Sequence, residues 1–220
     1  MEKQNPKIVP PRISGTLKPM ENLTLTLAED EDALEGYSCT DQIVTDSWRE
    51  HFSFQSCVFS NCRFPGCSFK SCQFSDVLFK NCDLSNITFS GSSFFRVEFV
   101  ECRFTGTDFS RSILNQVNFQ ECKGTYSLFS MGKFRHVRYS RSDMQGAALS
   151  NCQFQEVGIE ACRLVDAEFY ATSLKGIDLS DSEIAGLRLT VPDRNELRGA
   201  VITSLQAVEL VQLLGVIVKD

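Results

Sequence analysis

Cysteine is the residue type in this chain whose number and spacing most suggest chemistry. Cys57, Cys62, Cys67 and Cys72 recur every five residues in CVFSNCRFPGCSFKSCQF. Four thiolates converging about 2.3 Å from one ion would make a tetrahedral zinc site. Close pairs would instead make disulfides. The neighbours argue for neither. Phe59, Phe64, Phe69 and Phe74 keep the same step, each two residues after a thiol. A metal loop does not need an aromatic locked to every ligand, whereas a repeating structural unit does. Other reactive groupings are equally unpromising. The sequence has no glycine-rich phosphate loop and no HExxH, and His51 and His136 lie on unrelated parts of the chain. The expectation is a protein that is not an enzyme, with no catalytic residue, no cofactor and no metal site.

The elements that would hold these residues follow from the period. Stepping by five from Phe54 to Leu189 visits 28 positions, and 27 of them are large and apolar; only Gly124 breaks the row. Two residues earlier in each unit stands a small residue, and nine of the ten cysteines fall there, Cys39 being the exception. The other three positions are mostly polar. A period of five fits neither a helix of 3.6 nor a strand of two. It fits a chain that turns a corner once per five residues and closes a square in twenty. Residues twenty apart then stack, and they match in kind. Val77, Val97, Val117, Val137, Val157 and Ile177 form one row, and Phe59, Phe79, Phe99 and Phe119 form a core ladder.

These units, among them CVFSN, CRFPG, CQFSD, CDLSN and CRFTG, resemble the pentapeptide-repeat family, whose consensus is A(D/N)LXX. The resemblance covers residues 52–189 and implies an all-β solenoid, a right-handed quadrilateral β-helix of seven coils. At about 4.8 Å per coil the body is roughly 34 Å long. The cysteines then read as small buried fillers of the interior. Disulfides between stacked thiols are disfavoured, because the coil spacing exceeds the usual Cβ separation of such a bond.

The ends are expected to differ from the body, because a solenoid needs caps. Residues 1–32 read as an arm, flexible over part of its length, with Leu23, Leu25 and Leu27 alternating as a strand. Residues 33–51 keep a decayed register through Leu34, Cys39 and Val44 and read as a degraded first coil, with Trp48 and Phe52 closing the core. The repeat stops at VPDRN, and residues 190–220 read as a C-terminal α-helical cap with a following strand. Ser204 is the expected N-cap and Gly215 the expected stop. The helix has more apolar surface than one face needs. Leu205, Val208, Leu210, Val211, Leu214, Val216 and Val218 are therefore the candidate interface of a homodimer.

Charge narrows the partner. Residues 1–51 hold ten acids against five bases, while residues 52–189 hold fourteen of each. A neutral body does not suit direct nucleic-acid binding. No apolar run is long enough for a membrane span, and no signal segment opens the chain, so a cytoplasmic protein is expected. The C-terminal segment resembles the quinolone-resistance members of the family at Gln206, Ala207, Leu214, Gly215 and Val216. That resemblance implies a rod-like dimer that mimics B-form DNA and docks on DNA gyrase or topoisomerase IV. Glu156, Glu160, Asp166, Glu168, Asp178, Asp181 and Glu183 are the candidate acidic patch, set on either side of the dimer centre. Lys133, Arg135, Arg138 and Arg141 form a basic band that DNA mimicry does not call for. The competing reading is an interaction scaffold for another partner, with Tyr126, Leu128 and Met131 facing outward beside the interruption at Gly124.

Overall fold

A computed structural model describes residues 6–13, 15–29, 31–190 and 196–219. Its body is a parallel solenoid of about seven turns. Eleven strands follow in chain order: β1 (Lys18–Pro19), β2 (Ala33–Glu35), β3 (Tyr37–Thr40), β4 (Trp48–Glu50), β5 (Ser53–Ser60), β6 (Ser68–Lys70), β7 (Gln73–Lys80), β8 (Ser93–Val100), β9 (Ile113–Gln120), β10 (Lys133–Ser140) and β11 (Gln153–Glu160). From β5 to β11 the six long strands pair in parallel, each residue with the one twenty later, as in Phe54 with Phe74 and Val97 with Val117. Isolated bridges such as Arg63 with Asp83 and Thr88 with Asp108 carry the same offset round the other two faces.

The corner is a backbone event. From Gly36 to Gly186 every fifth residue except Asp181 has a positive φ, from 47° at Arg141 to 81° at Gly176. For an L-residue the left-handed region costs about 1–2 kcal/mol. Asn, Asp and Gly tolerate it best, which explains the polar, turn-prone character of this position. The ladder offsets the cost. Asn81 N–H donates to Val100 O, Glu101 N–H to Gln120 O and Glu121 N–H to Ser140 O, all at 2.9 Å. Corners bonded in this way stay satisfied along the whole column.

Inside, the coil spacing is also the stacking distance of an aromatic ring. Phe59 and Phe79 lie 5.0 Å apart, Phe99 and Phe119 4.8 Å, and Phe119 and Tyr139 4.7 Å, with near-parallel planes. Adjacent ladders meet edge to face, as Phe109 does with Phe119 at 85°. Val77, Val97, Val117 and Val137 are fully buried between them.

All ten cysteines are free and buried. They do more than fill space. Cys82, Cys102 and Cys122 set Sγ 3.3–3.4 Å from the carbonyl oxygen 23 residues earlier, at Phe59, Phe79 and Phe99. Ser92, Thr107 and Thr172 donate to the equivalent carbonyls at 2.6–2.7 Å. The small inward position therefore accepts Cys, Ser or Thr for one reason: each brings a short donor to the coil before it. Cys39 stands in the large inward position, paired with Phe59, and is likewise buried.

The N-terminal end corrects two expectations. Leu23–Ala28 is not a strand but a short helix, α1, capped by Asn22, whose Oδ1 accepts from Leu25 N–H at 3.1 Å. The i, i+4 pair Leu23 and Leu27 packs inward and Leu25 faces out, an outcome that period-two alternation cannot distinguish from a strand over so few residues. Gln42 holds α1 on the first coil by accepting from Leu23 N–H at 2.9 Å. Trp48 does not close the core. It is 77% exposed, with Nε1–H donating to Gly66 O, whereas Phe52 is buried as expected. Leu34, Cys39 and Val44 are buried in a first coil that pairs with β5 and β6.

At the other end the segment VPDRN lies outside the described residues. Glu196 O, Gly199 O and Val201 O accept from Leu174, Gly176 and Leu179 N–H, forming a last partial rung. Helix α2 (Ser204–Val211) follows. Its N-cap is Thr203 rather than Ser204, because Thr203 makes a capping box with Gln206. Gly215, with a φ of 72°, ends the helical segment. Val216, Ile217 and Val218 form no strand and are exposed.

Candidate functional site

Among the described residues no group of three or more His, Cys, Asp or Glu side chains is arranged to hold a metal ion. No helix among them is long and apolar enough to cross a membrane. The register locates each of the expected surfaces.

The seven acids do not share a face. Glu156 stands on one corner, Glu160 and Asp178 on the next face, Asp181 on the following corner, Glu183 beyond it, and Asp166 and Glu168 further round. They girdle the last two coils. Two are paired with bases one coil away, Glu168 with Arg188 at 3.0 Å and Glu183 with Arg163 at 3.2 Å, and Glu156 lies 2.9 Å from His136 Nδ1. The basic band is spread in the same manner. Lys133 and Arg135 lie on one face, Arg138 on the next, and Arg141 on a corner where it pairs with Glu121 at 2.7 Å. Vertical pairing of opposite charges at twenty-residue spacing is invisible along the sequence and neutralises both groups in part.

The C-terminal helix divides its apolar residues between two jobs. Leu210 is buried against the chain's own last coil, while Leu205 is 81% exposed and Val208 43%. Val216 and Val218 are exposed and Val211 is half-buried; the side chain of Leu214 lies outside the described residues. Gln206, a polar residue on an apolar helix, is buried. Its Nε2 donates to Leu179 O and Ser182 O, both at 2.8 Å, and its Oε1 accepts from Thr203 N–H. It closes the raw carbonyls of the last coil. An apolar cleft of about 240 Å³ opens beside it, lined by Leu189, Leu197, Ile202, Ala207, Leu210 and Leu213, with Val211 at its edge.

Gly124 has a packing cause. A Cβ there would fall 2.0 Å from Phe104 Cε2 and 2.8 Å from Met144 Sδ, so the rungs below and above already fill the space its side chain would take. Tyr126, Leu128 and Met131 are exposed, as the sequence suggests. The arm supplies a contact that the sequence does not reveal. Arg12 N–H donates to Asp76 Oδ1 and Val9 N–H to Gln116 Oε1, both at 2.7 Å. Residues 9–12 of the arm thus cross two coils along the corner column of Asp76, Arg96 and Gln116. Burial would raise the Asp76 pKa, but Arg96, with Nε 2.6 Å away, and the Arg12 N–H outweigh it and hold the carboxyl below its ordinary value.

Two family descriptions match the chain that folds in this way. The Pentapeptide repeat region matches residues 92–169, and Pentapeptide repeats (8 copies) matches residues 53–91 and 72–111. The chain belongs to the pentapeptide-repeat family. Among solved structures of this family, QnrB1, a plasmid-mediated fluoroquinolone resistance protein, is 21% identical in a trypsin-treated form that carries one substitution. That match covers 85% of this chain and 90% of the trypsin-treated chain, with a TM-score of 0.42. A pentapeptide repeat protein of the Arabidopsis thaliana thylakoid lumen is 26% identical, over 53% of this chain and 71% of its own, with a TM-score of 0.38. HetL, involved in heterocyst differentiation regulation in Nostoc sp. strain PCC 7120, is 15% identical, over 77% and 84%, with a TM-score of 0.28. No curated protein matches the chain.

Proposed function

We propose that this pentapeptide-repeat protein is a non-catalytic protein-binding rod that acts as a homodimer joined at its C-terminal ends. The observation that carries the reading is the apolar surface left over after α2 has capped the last coil. Leu205, Val208, Val216, Ile217 and Val218 are exposed together beside an apolar cleft. A surface of this kind calls for a cover, and a second copy meeting it by two-fold symmetry supplies one. We further propose a cytoplasmic setting, which ten free thiols fit. Sedimentation tests the dimer: the wild type should run at twice the chain mass and Val208→Glu at the chain mass with its β-signal intact. A wild type that runs as a monomer overturns the dimer.

A type II topoisomerase, DNA gyrase or topoisomerase IV, is the partner we propose to test first. The acidic girdle of Glu156, Glu160, Asp166, Glu168, Asp178, Asp181 and Glu183 supports it, because end-to-end pairing would bring two girdles near the centre of a long rod. An acidic rod is the shape that meets a basic DNA-binding saddle. The ladder pairs at Glu168 and Glu183 weaken the DNA-like field. A gyrase supercoiling assay with and without a quinolone decides: unchanged supercoiling and no relief from the drug remove this partner and leave the rod with another.

A further inference from the structure

Outward positions of the solenoid body are polar almost throughout. Between residues 52 and 190 the exposed large apolar side chains are Phe95, Ile113, Tyr126, Leu128, Met131 and Tyr170. Five of these six lie between residues 95 and 131, and the register gathers them further. Tyr126, Leu128 and Met131 follow a single coil round two corners. The face that coil then enters carries Lys133 and Arg135, whose rung partners are Ile113 and Asn115, and Asn115 in turn pairs with Phe95. The apolar residues thus form a band across the rod. They are 43–61% exposed from Ile113 to Met131.

Tyr126 is seated rather than loose. It stands below Gly146 in the same corner column, and a Cβ on Gly146 would lie 2.6 Å from its Cδ1. The missing side chain is what lets the ring lie against the next coil. A fixed aromatic presents contact area at low entropy cost. The charge on the band is mainly positive. Arg111, Lys133 and Arg135 have no ion-pair partner among the described residues, unlike Arg96, Arg141, Arg163 and Arg188. The acid in the band, Asp108, has its Oδ1 engaged by Ser110 N–H at 2.8 Å. A groove of about 280 Å³ continues the band, floored by Phe134 and Phe154 and edged by Ile113, Lys133, Arg135 and Gln153.

We propose that this mid-rod band receives a short acidic segment of a partner protein in which Asp or Glu alternates with Leu, Phe or Met. The apolar residues of that segment cover Tyr126, Leu128, Met131 and Ile113, and its carboxylates meet Arg111, Lys133 and Arg135. Apolar burial supplies the affinity, and the cations set specificity and approach. Nucleic acid fits less well: three aliphatic side chains at the centre of the band have no counterpart on a phosphate backbone. The proposal rests on the protein-binding reading above, and it uses a surface two coils away from the C-terminal end, so dimerisation and this contact are independent.

The test is an immobilised array of short peptides that interleave Glu or Asp with Leu, Phe or Met. Beside them stand the same peptides with Lys for every acid, the same with Ser for every apolar residue, and a DNA oligonucleotide. Wild-type protein should be retained by the acidic apolar peptides over all three controls. Lys133→Glu with Arg135→Glu should weaken retention by roughly tenfold or more, and Leu128→Ser with Met131→Ser should do the same. Equal retention by the lysine peptides, preference for the oligonucleotide, or no retention by any acidic peptide overturns the proposal. The wild-type comparison stands even if a variant misfolds. Sedimentation of the same samples separates loss of this contact from failure of the dimer.

Discussion

The Phe79 and Phe99 rings lie face to face, their centroids 5.0 Å apart and their planes 3° from parallel. One coil of backbone and one thickness of aromatic ring are therefore the same length, and every storey is packed against the next. Phe99 also touches Phe119, Phe104 and Phe109. Phe99→Ala should cost about 3–5 kcal/mol, read as a drop in the denaturation midpoint. Phe99→Leu should cost less, because Leu occupies the equivalent position of the neighbouring ladder at Leu114. Equal losses for both would show that ring stacking, rather than volume, carries the stability.

Restoring the repeat at Gly124 should harm the protein. Phe104 and Met144 already occupy the space, so Gly124→Leu overpacks it and should destabilise by about 1–3 kcal/mol. Gly124→Leu combined with Phe104→Ala should recover part of that loss, since the two sites share one volume. Thermal melts of the two single variants and the double one check the coupling, and strict additivity would refute the shared space.

Gln206 bonds two carbonyls that no further coil would otherwise meet. Gln206→Leu keeps the bulk and loses both donors, and it should cost about 1–3 kcal/mol, because Ser182 O is left dry while Leu179 O keeps its bond from Ser182 N–H. The loss should be local. Hydrogen exchange should quicken in residues 162–187 before it changes in β7 or β8, as expected of a solenoid that frays from its ends. Uniform acceleration along the rod would contradict this.

The thiols should be inert. Burial pushes Cys72 and Cys152 up to about 11, so neither is ionised at neutral pH. A disulfide reagent at pH 8 should label the native protein hardly at all and the unfolded chain fully. Cys102→Ser should be tolerated better than Cys102→Val, since a hydroxyl can still reach Phe79 O. Zinc should raise the melting temperature of neither form.

The arm should come off in acid. The Asp76 pKa is depressed in the folded state, so its stabilisation is complete above the ordinary carboxylate value of about 3.9 and is lost as pH falls through the lower folded value. Protonation weakens both the Arg96 pair and the acceptor of Arg12 N–H. Asp76→Asn should expose the bonds around Arg12 to protease at neutral pH, while the wild type should show the same cleavage pattern only in acid. Identical cleavage of both proteins at neutral pH would remove Asp76 as the anchor.

Much of this architecture is legible along the chain because a period of five is a local signal. Each unit carries its large residue, its small residue and its corner, so 28 units report one shape. The degraded first coil is readable from Leu34, Cys39 and Val44 for the same reason. Where the repeat stops, the reading weakens. Leu23, Leu25 and Leu27 alternate like a strand and form a helix, because Asn22 caps it and Gln42 holds it from a residue nearly a full coil away. Trp48 reads as a lid and stands in solvent. Gln206 is one polar residue of an apolar helix and is the plug of the last coil.

Spacing along the chain was enough to define the coil, its twenty-residue rise, the ladders inside it and the interruption at Gly124, since all of these depend on a few neighbours or on a strict multiple of the repeat. What stands beside what on the outside emerged only when the coils were stacked. Stacking wrapped the seven acids round the rod, paired Glu168 and Glu183 with bases a coil away, set Glu156 beside His136, joined Ile113 to the band of Met131, and laid the arm on Asp76 and Gln116. Those contacts depend on side chains that meet through space at offsets the inward pattern does not constrain, so no periodicity announces them.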